Sequence, residues 1–300
     1  MSIFNNIKML FGNKKTNKVL GVDIGSSSIK VVQLSLKKGV AVLDTFGEIS
    51  LSIYGGKEIG KTVNLSDDKI AEALKDLIKE AQVDTKIAAF AIPLKSTLMF
   101  NLKLPKTIEK NKLDKIVKME ARKYIPVPIS EVQMDWSILP ALNEKERNSE
   151  NNDILVVAIH KETLNQYANI ASVVGLELNF LEVETFSTIR AVVKYERNTT
   201  AIVDIGSSVT KFYIVEHGII RKSHIINIGS AKMLSRFRGE ENTSSLNGEV
   251  NSQAAKMLRE TIGTTTDIPV DLERIINEVK KAIISFQKIN RRDITDVVFT

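Results

Sequence analysis

Cysteine is absent from the chain, and histidine occurs only at His160, His217 and His224. Without cysteine there are neither disulfides nor thiolate metal sites, which fits a reducing compartment. None of the three histidines stands at a metal-ligand spacing, so a metalloenzyme or a histidine-dependent catalytic triad is not expected. No stretch approaches the roughly 20 consecutive apolar residues that span a bilayer, and no signal-peptide core opens the chain. A cytoplasmic protein is the expectation. Interleaved basic and aromatic residues of the kind that bind RNA are also missing, so nucleic acid is not an expected partner.

What is present is an ordinary globular composition, 43% hydrophobic and 26% charged over 300 residues, enough for a substantial core and more than one domain. The net charge of +6 is unevenly placed. Lys8, Lys14, Lys15 and Lys18 crowd the first 18 residues, which carry no acid. Ile3, Phe4, Ile7, Leu10 and Phe11 fall at helical spacing in the same segment, and together they predict a basic amphipathic tail over residues 1–17 that docks on a partner or an anionic membrane surface.

From Lys18 the pattern turns strand-like. VLGVDI, the small-residue turn GSSS, IKVVQLSL, the KKG turn and VAVLDTFGEI predict three strands joined by tight turns. Ser66 is a candidate N-cap for a helix whose Ile70, Leu74, Leu77, Ile78 and Ala81 form one stripe. KIAAFAIP follows as a buried strand. Residues 97–176 alternate differently: strand, a helix carrying Leu113, Ile116, Val117 and Tyr124, a break at Pro126 and Pro128, two strands around a polar loop, and a helix over Lys161–Val174. This predicts a small inserted α+β subdomain. ELNFLEVE then reads as a strand and Thr185–Lys194 as a helix, while the polar stretch from Gly239 to Pro269 reads as loop-rich with one short helix around Ala254–Thr261.

An internal repeat decides the reading. VDIGSSSIK at Val22–Lys30 returns as VDIGSSVTK at Val203–Lys211, with seven of nine positions identical and the same strand context on both sides. A strand that ends in Asp and runs into Gly and small hydroxyl residues offers a carboxylate beside a turn with exposed backbone amides. Gly25 and Gly206 permit close backbone approach. Ser26, Ser27, Ser207 and Ser208 supply hydroxyls around a phosphate, and Asp23 and Asp204 are placed to hold magnesium through its water shell. Two such copies imply two related lobes, each contributing one phosphate loop.

These motifs resemble the actin, Hsp70 and sugar-kinase superfamily, whose two RNase H-like lobes carry a first and a second phosphate motif. Within it, VLGVDIGSSSIKVVQLS, LPKTIEKNKLDKIVKMEARKYIPVPISEVQMDW and AIVDIGSSVTKFYIVEHG resemble, in order, segments of the PilM family and its FtsA cousins. The resemblance implies an α/β actin-like fold: a first lobe over 18–96 and 177–195, an inserted subdomain over 97–176, and a second lobe over 196–300, truncated at its far end. It assigns Asp23, Gly25, Ser26, Ser27 and Lys30 to the first phosphate motif and Asp204, Gly206, Ser207 and Ser208 to the second, with ATP and Mg²⁺ as cofactors bound between the lobes. Glu184 resembles the acid that orients the attacking water.

The family's third motif, a glycine-rich turn that meets the adenine, is not found before Thr300. The implied role is a cytoplasmic scaffold of a type IV pilus or related secretion machine, with slow ATP turnover at most. It would associate with the inner face of the membrane and with copies of itself in a ring, docking the cytoplasmic N-terminal peptide of a PilN-like inner-membrane protein. FtsA-like membrane tethering, a small-molecule kinase and an Hsp70-like ATPase are the alternatives that the same fold allows.

Overall fold

The computed structural model describes residues 17–193, 198–237 and 270–300. The tail helix expected before Asn17 and the short helix expected around Ala254–Thr261 lie outside the described residues. The chain divides into two compact units. One comprises the described residues up to Ile24, Lys30–Gly47 and Ile70–Ser187; the other comprises Gly25–Ile29, Glu48–Lys69 and the described residues from Thr188 onward.

The first unit is organised by a five-stranded sheet in the order β3-β2-β1-β4-β8, formed by β1 (Lys18–Ile24), β2 (Ser28–Lys37), β3 (Val40–Ser50), β4 (Ile87–Ile92) and β8 (Glu177–Val183). β4 runs parallel to both β1 and β8. Helix α1 (Asp67–Glu80) begins directly after Ser66, with Asp67 and Asp68 at its positive end. Its Ala73, Leu74 and Leu77 are buried, and Gly47 of β3 lets it settle: a Cβ there would come within 2.8 Å of the Leu77 side chain.

A three-stranded antiparallel sheet in the order β5-β7-β6 also belongs to this unit, built from β5 (Thr97–Pro105), β6 (Val132–Ile138) and β7 (Asn151–His160). β7 is central, and its run Ile154–Ile159 is buried residue after residue, so both of its faces are covered. Helix α2 (Lys110–Ala121) packs Leu113, Val117 and Ala121 onto Leu102, Ile154 and Val156. Asp114 of this helix accepts a hydrogen bond from Trp136 Nε1 at 3.0 Å. Lys118 first and Trp136 second hold the Asp114 carboxyl below its ordinary pKa.

Two sequence expectations are corrected here. Tyr124 does not belong to α2, which ends at Ala121; it lies in the turn before Pro126 and stacks on Phe100 at 4.9 Å. The residue preceding proline disfavours helical backbone, and the chain leaves the helix early. The polar loop LNEKERNSENND also contains a helical turn, α3 (Glu144–Arg147), capped by Asn143, whose side chain accepts the Glu146 amide at 2.8 Å. The helix expected over Lys161–Val174 is present as α4 (Lys161–Val174), ended by Gly175 in the left-handed conformation. α5 (Glu184–Val192) follows β8 at once.

The second unit repeats the sheet plan. Its four strands, β9 (Thr199–Ile205), β10 (Thr210–Glu216), β11 (Ile219–Ile226) and β12 (Asp296–Phe299), lie in the order β11-β10-β9-β12, with β12 parallel to β9. This matches β3-β2-β1-β4 position for position. The matching hairpins even turn alike: Lys38 and Gly39 have φ of 52° and 80°, and His217 and Gly218 have 53° and 76°, the double left-handed pair of a two-residue turn. α6 (Ser230–Phe237) follows β11, and α7 (Val270–Asn290) buries Ile275, Val279 and Phe286 against Ala201, Val203, Phe212 and Ile214. At the far end of β10, Glu216 is 4% exposed. Arg221 reaches it at 3.0 Å, and Arg292 pairs with its other oxygen.

Candidate phosphate site

Both repeat turns close in the same way. Gly25 donates to the Ser28 carbonyl at 2.9 Å, and Gly206 donates to the Val209 carbonyl at 3.0 Å. A Cβ on either glycine would meet that same carbonyl oxygen, at 3.1 Å and 3.0 Å, tighter than an ordinary contact. This local geometry is why each Asp-Ile pair is followed by glycine.

Each turn is also tied from behind by the chain that leaves its third strand. Leu51, just past β3, donates to the Ser27 carbonyl at 2.8 Å, and Val63 donates to the Ser26 carbonyl at 3.1 Å. In the second copy, Ser230 and Ala231 at the start of α6 donate to the carbonyls of Gly206 and Ser207 at 3.0 and 3.1 Å. In a trans peptide the carbonyl and the amide of one unit point opposite ways. Holding these carbonyls therefore turns the amides of Ser27, Ser28, Ser207 and Ser208 to the other side of their turns, which is how a backbone nest presents donors to an anion.

Within the second unit the hydroxyls converge. Ser207 Oγ lies 2.8 Å from Ser27 Oγ and 3.2 Å from Ser26 Oγ, so three of the four serines predicted from the repeat share one hydrogen-bonded cluster. Ser208 is exposed beside them. Asp204, at the end of β9, pairs with Lys211 across the ladder; the Lys211 ammonium stands 2.8 Å from its carboxylate, and both groups are largely buried. Lys211 occupies the repeat position of Lys30. Lys30 itself is exposed on β2, while Lys211 is 9% exposed.

Asp23 is exposed near the end of β1 in the first unit. Glu184 begins α5, and its Oε1 accepts the Leu94 amide at 2.6 Å, a short charge-assisted bond that fixes the carboxylate. Tyr167 of α4, packed edge-on against Phe90 at 6.1 Å, keeps its hydroxyl in the field of Asp23 and Glu184. Burial first, and these two carboxylates second, push its pKa far up, so the hydroxyl stays protonated. Nothing local in the sequence marks Tyr167, because its neighbours come from distant segments. Among the described residues there is no cluster of three metal-ligating side chains, and no helix is long and apolar enough to cross a membrane.

Duplicated hairpins that each close on an Asp-Ile-Gly-Ser-Ser turn, with a parallel strand added beside the first strand, define an actin-like ATPase fold. The solved structure described as the PilM-PilN type IV pilus biogenesis complex matches 94% of this chain and 81% of its own at a TM-score of 0.70 and 18% identity. A family model described as Type IV pilus assembly protein PilM matches residues 21–226, and the chain belongs to that family. The ethanolamine utilization protein EutJ from Carboxydothermus hydrogenoformans is similar over 94% of this chain and 76% of its own, at 18% identity and a TM-score of 0.44. The cytoplasmic domain of EpsL, an inner-membrane component of the type II secretion system of Vibrio cholerae, covers 78% of this chain and 79% of its own at 11% identity and a TM-score of 0.46.

Proposed function

We propose that this chain is a nucleotide-binding cytoplasmic scaffold of the type IV pilus assembly machine, which binds Mg-ATP and docks the cytoplasmic N-terminal peptide of a PilN-like inner-membrane protein. The observation that carries the nucleotide part is the convergence of the Ser26, Ser27 and Ser207 hydroxyls on two turns whose carbonyls are bonded from behind. That donor set, with Gly25 and Gly206 giving close backbone approach, fits a polyphosphate. Asp204 fits a magnesium ion held through water, and from the repeat we assign Asp23 the same chemistry and Lys30 the role of added positive charge. When bound, the metal would neutralise phosphate charge; the protein's own part is to orient the phosphates with amides and hydroxyls.

The peptide part rests on family membership and on the partner named in the PilM-PilN complex. The Phe100–Tyr124 stack supports it: Tyr124 is 54% exposed, an aromatic surface suited to a short peptide. Peripheral attachment to the inner face of the membrane follows from holding such a partner. Titration calorimetry with that peptide, with and without Mg-ATP, is the test. Binding is expected in both states, with affinities differing by roughly 5–150-fold. A peptide that fails to bind in either state would remove the scaffold reading.

Turnover is expected to be slow. Glu184, fixed by the Leu94 amide, is the residue we assign to orienting water. Glu184→Gln keeps an acceptor for Leu94 and removes the charge, so single-turnover hydrolysis should fall roughly 100-fold or more while the melting temperature holds. Unchanged hydrolysis would leave Glu184 as an anchor of the turn after β4.

A further inference from the structure

Gly229 precedes α6 and lies against the second phosphate turn more closely than any side chain could. A Cβ on Gly229 would stand 2.3 Å from the Ser207 carbonyl oxygen, 2.5 Å from the Ser207 carbonyl carbon and 2.5 Å from the Ser208 carbonyl carbon. All three are backbone atoms, so no rotamer change relieves the clash, and the turn or the helix start must move. Real Cβ atoms essentially never approach backbone so closely. The contact is also bonded: Ser230 and Ala231 donate to the Gly206 and Ser207 carbonyls, while Lys232 and Met233 return to the Gly229 carbonyl and begin the helix. Met233 is buried in the core with Ile226 and Ile228, which fixes α6 from its other side.

We propose that Gly229 is a positioning residue that aims the Ser207 and Ser208 amides at a phosphoryl group. The argument is geometric. The carbonyls of Gly206 and Ser207 can be held from behind only if the entry to α6 passes within bonding distance of them, and only glycine allows that passage. Because each held carbonyl sets the direction of the following amide, the position of Gly229 sets where two donors point. The inference rests on the nucleotide-binding reading above and names the residue that makes the second turn competent for it.

Gly229→Ala should weaken Mg-ATP binding roughly 10–100-fold, the loss expected when hydrogen bonds to a charged group are misaligned. The Ser207 and Ser208 amide resonances, which should shift on adding Mg-ATP to the parent protein, should respond little in the variant. Ser230→Pro is the companion. Proline is well tolerated at the first helical position, yet it removes the amide that holds the Gly206 carbonyl, so it should reproduce the loss even if Gly229→Ala does not fold. Adenosine, which carries no phosphate, should bind parent and variants alike. A parent protein that binds no Mg-ATP overturns the nucleotide reading and this inference with it. Parent binding that Gly229→Ala, or Ser230→Pro where that fold is lost, leaves within twofold overturns the inference alone. A variant whose adenosine affinity falls in step with its ATP affinity also overturns it, since the effect would then not be aimed at phosphate.

Discussion

Glu216→Ala should cost about 3–5 kcal/mol of stability, the usual consequence of removing one member of a buried charge group. Glu216 is 4% exposed and carries Arg221 on one oxygen and Arg292 on the other. Deleting the carboxylate removes the counter-charge that Glu216 gives to two guanidinium groups that are themselves only 11% and 20% exposed. Their mutual repulsion and lost solvation are then offset less, which is why the loss exceeds that of one hydrogen bond. Arg221 stands on β11, and Arg292 lies between α7 and β12, so the carboxylate ties two stretches of the second unit to the end of β10. Urea unfolding followed by hydrogen exchange of the β9–β11 amides should shift to lower denaturant by about 1–2.5 M, taking a slope of about 2–3 kcal/mol per molar. Replacing Glu216, Arg221 and Arg292 together by methionine should recover most of the loss, because it removes the desolvated charges along with the pair. A single alanine variant that loses less than about 1 kcal/mol would mean that water, not arginine, satisfies Glu216.

The second large effect concerns the metal. Asp204→Asn should lower the affinity for Mg-ATP by roughly 10–100-fold, as removal of a residue that organises a metal's surroundings does. The sign of the control is what separates this from simple damage. Asp204 now offsets the Lys211 ammonium, 2.8 Å away. Once the carboxylate is neutral, the surroundings of Lys211 are one charge more positive, which favours a polyphosphate without metal. Affinity for ATP measured in a chelator should therefore stay level or rise, while affinity with magnesium falls. Equal losses in both conditions would assign Asp204 to holding Lys211 and the β9–β10 ladder, and the magnesium role would be withdrawn.

The sequence could carry this far because the decisive features are local and repeated. The Asp-Ile-Gly-Ser-Ser turns are contiguous, the strand alternation around them has a period of two, and the KKG and HG turns fall at matching places. The limits of α4 could be read directly, since its apolar spacing starts after a buried strand and stops at Gly175. The helical spacing continues to Tyr124 although the helix ends at Ala121, and the stacking partner that holds Tyr124, Phe100, lies on β5, far away in the chain. The Lys211–Asp204 pair could have been recognised, since the repeat places a lysine at the same position in both copies. Tyr167, the two arginines on Glu216 and the approach of Gly229 could not. Each depends on segments tens of residues apart meeting in space, and no residue type or spacing announces it.

The support behind the two turns is made of main-chain hydrogen bonds from Leu51, Val63, Ser230 and Ala231. Alanine scanning is blind to such a scaffold: truncating Val63 or Ser230 leaves the amide in place, and Ala231 offers nothing to truncate. A survey of that kind would register the buried side chain of Leu51 and report the rest of the rear of the site as inert. Its constraints would surface only as an intolerance of proline at those positions and of any side chain at Gly229, so tolerance of side-chain loss here is no measure of freedom to vary.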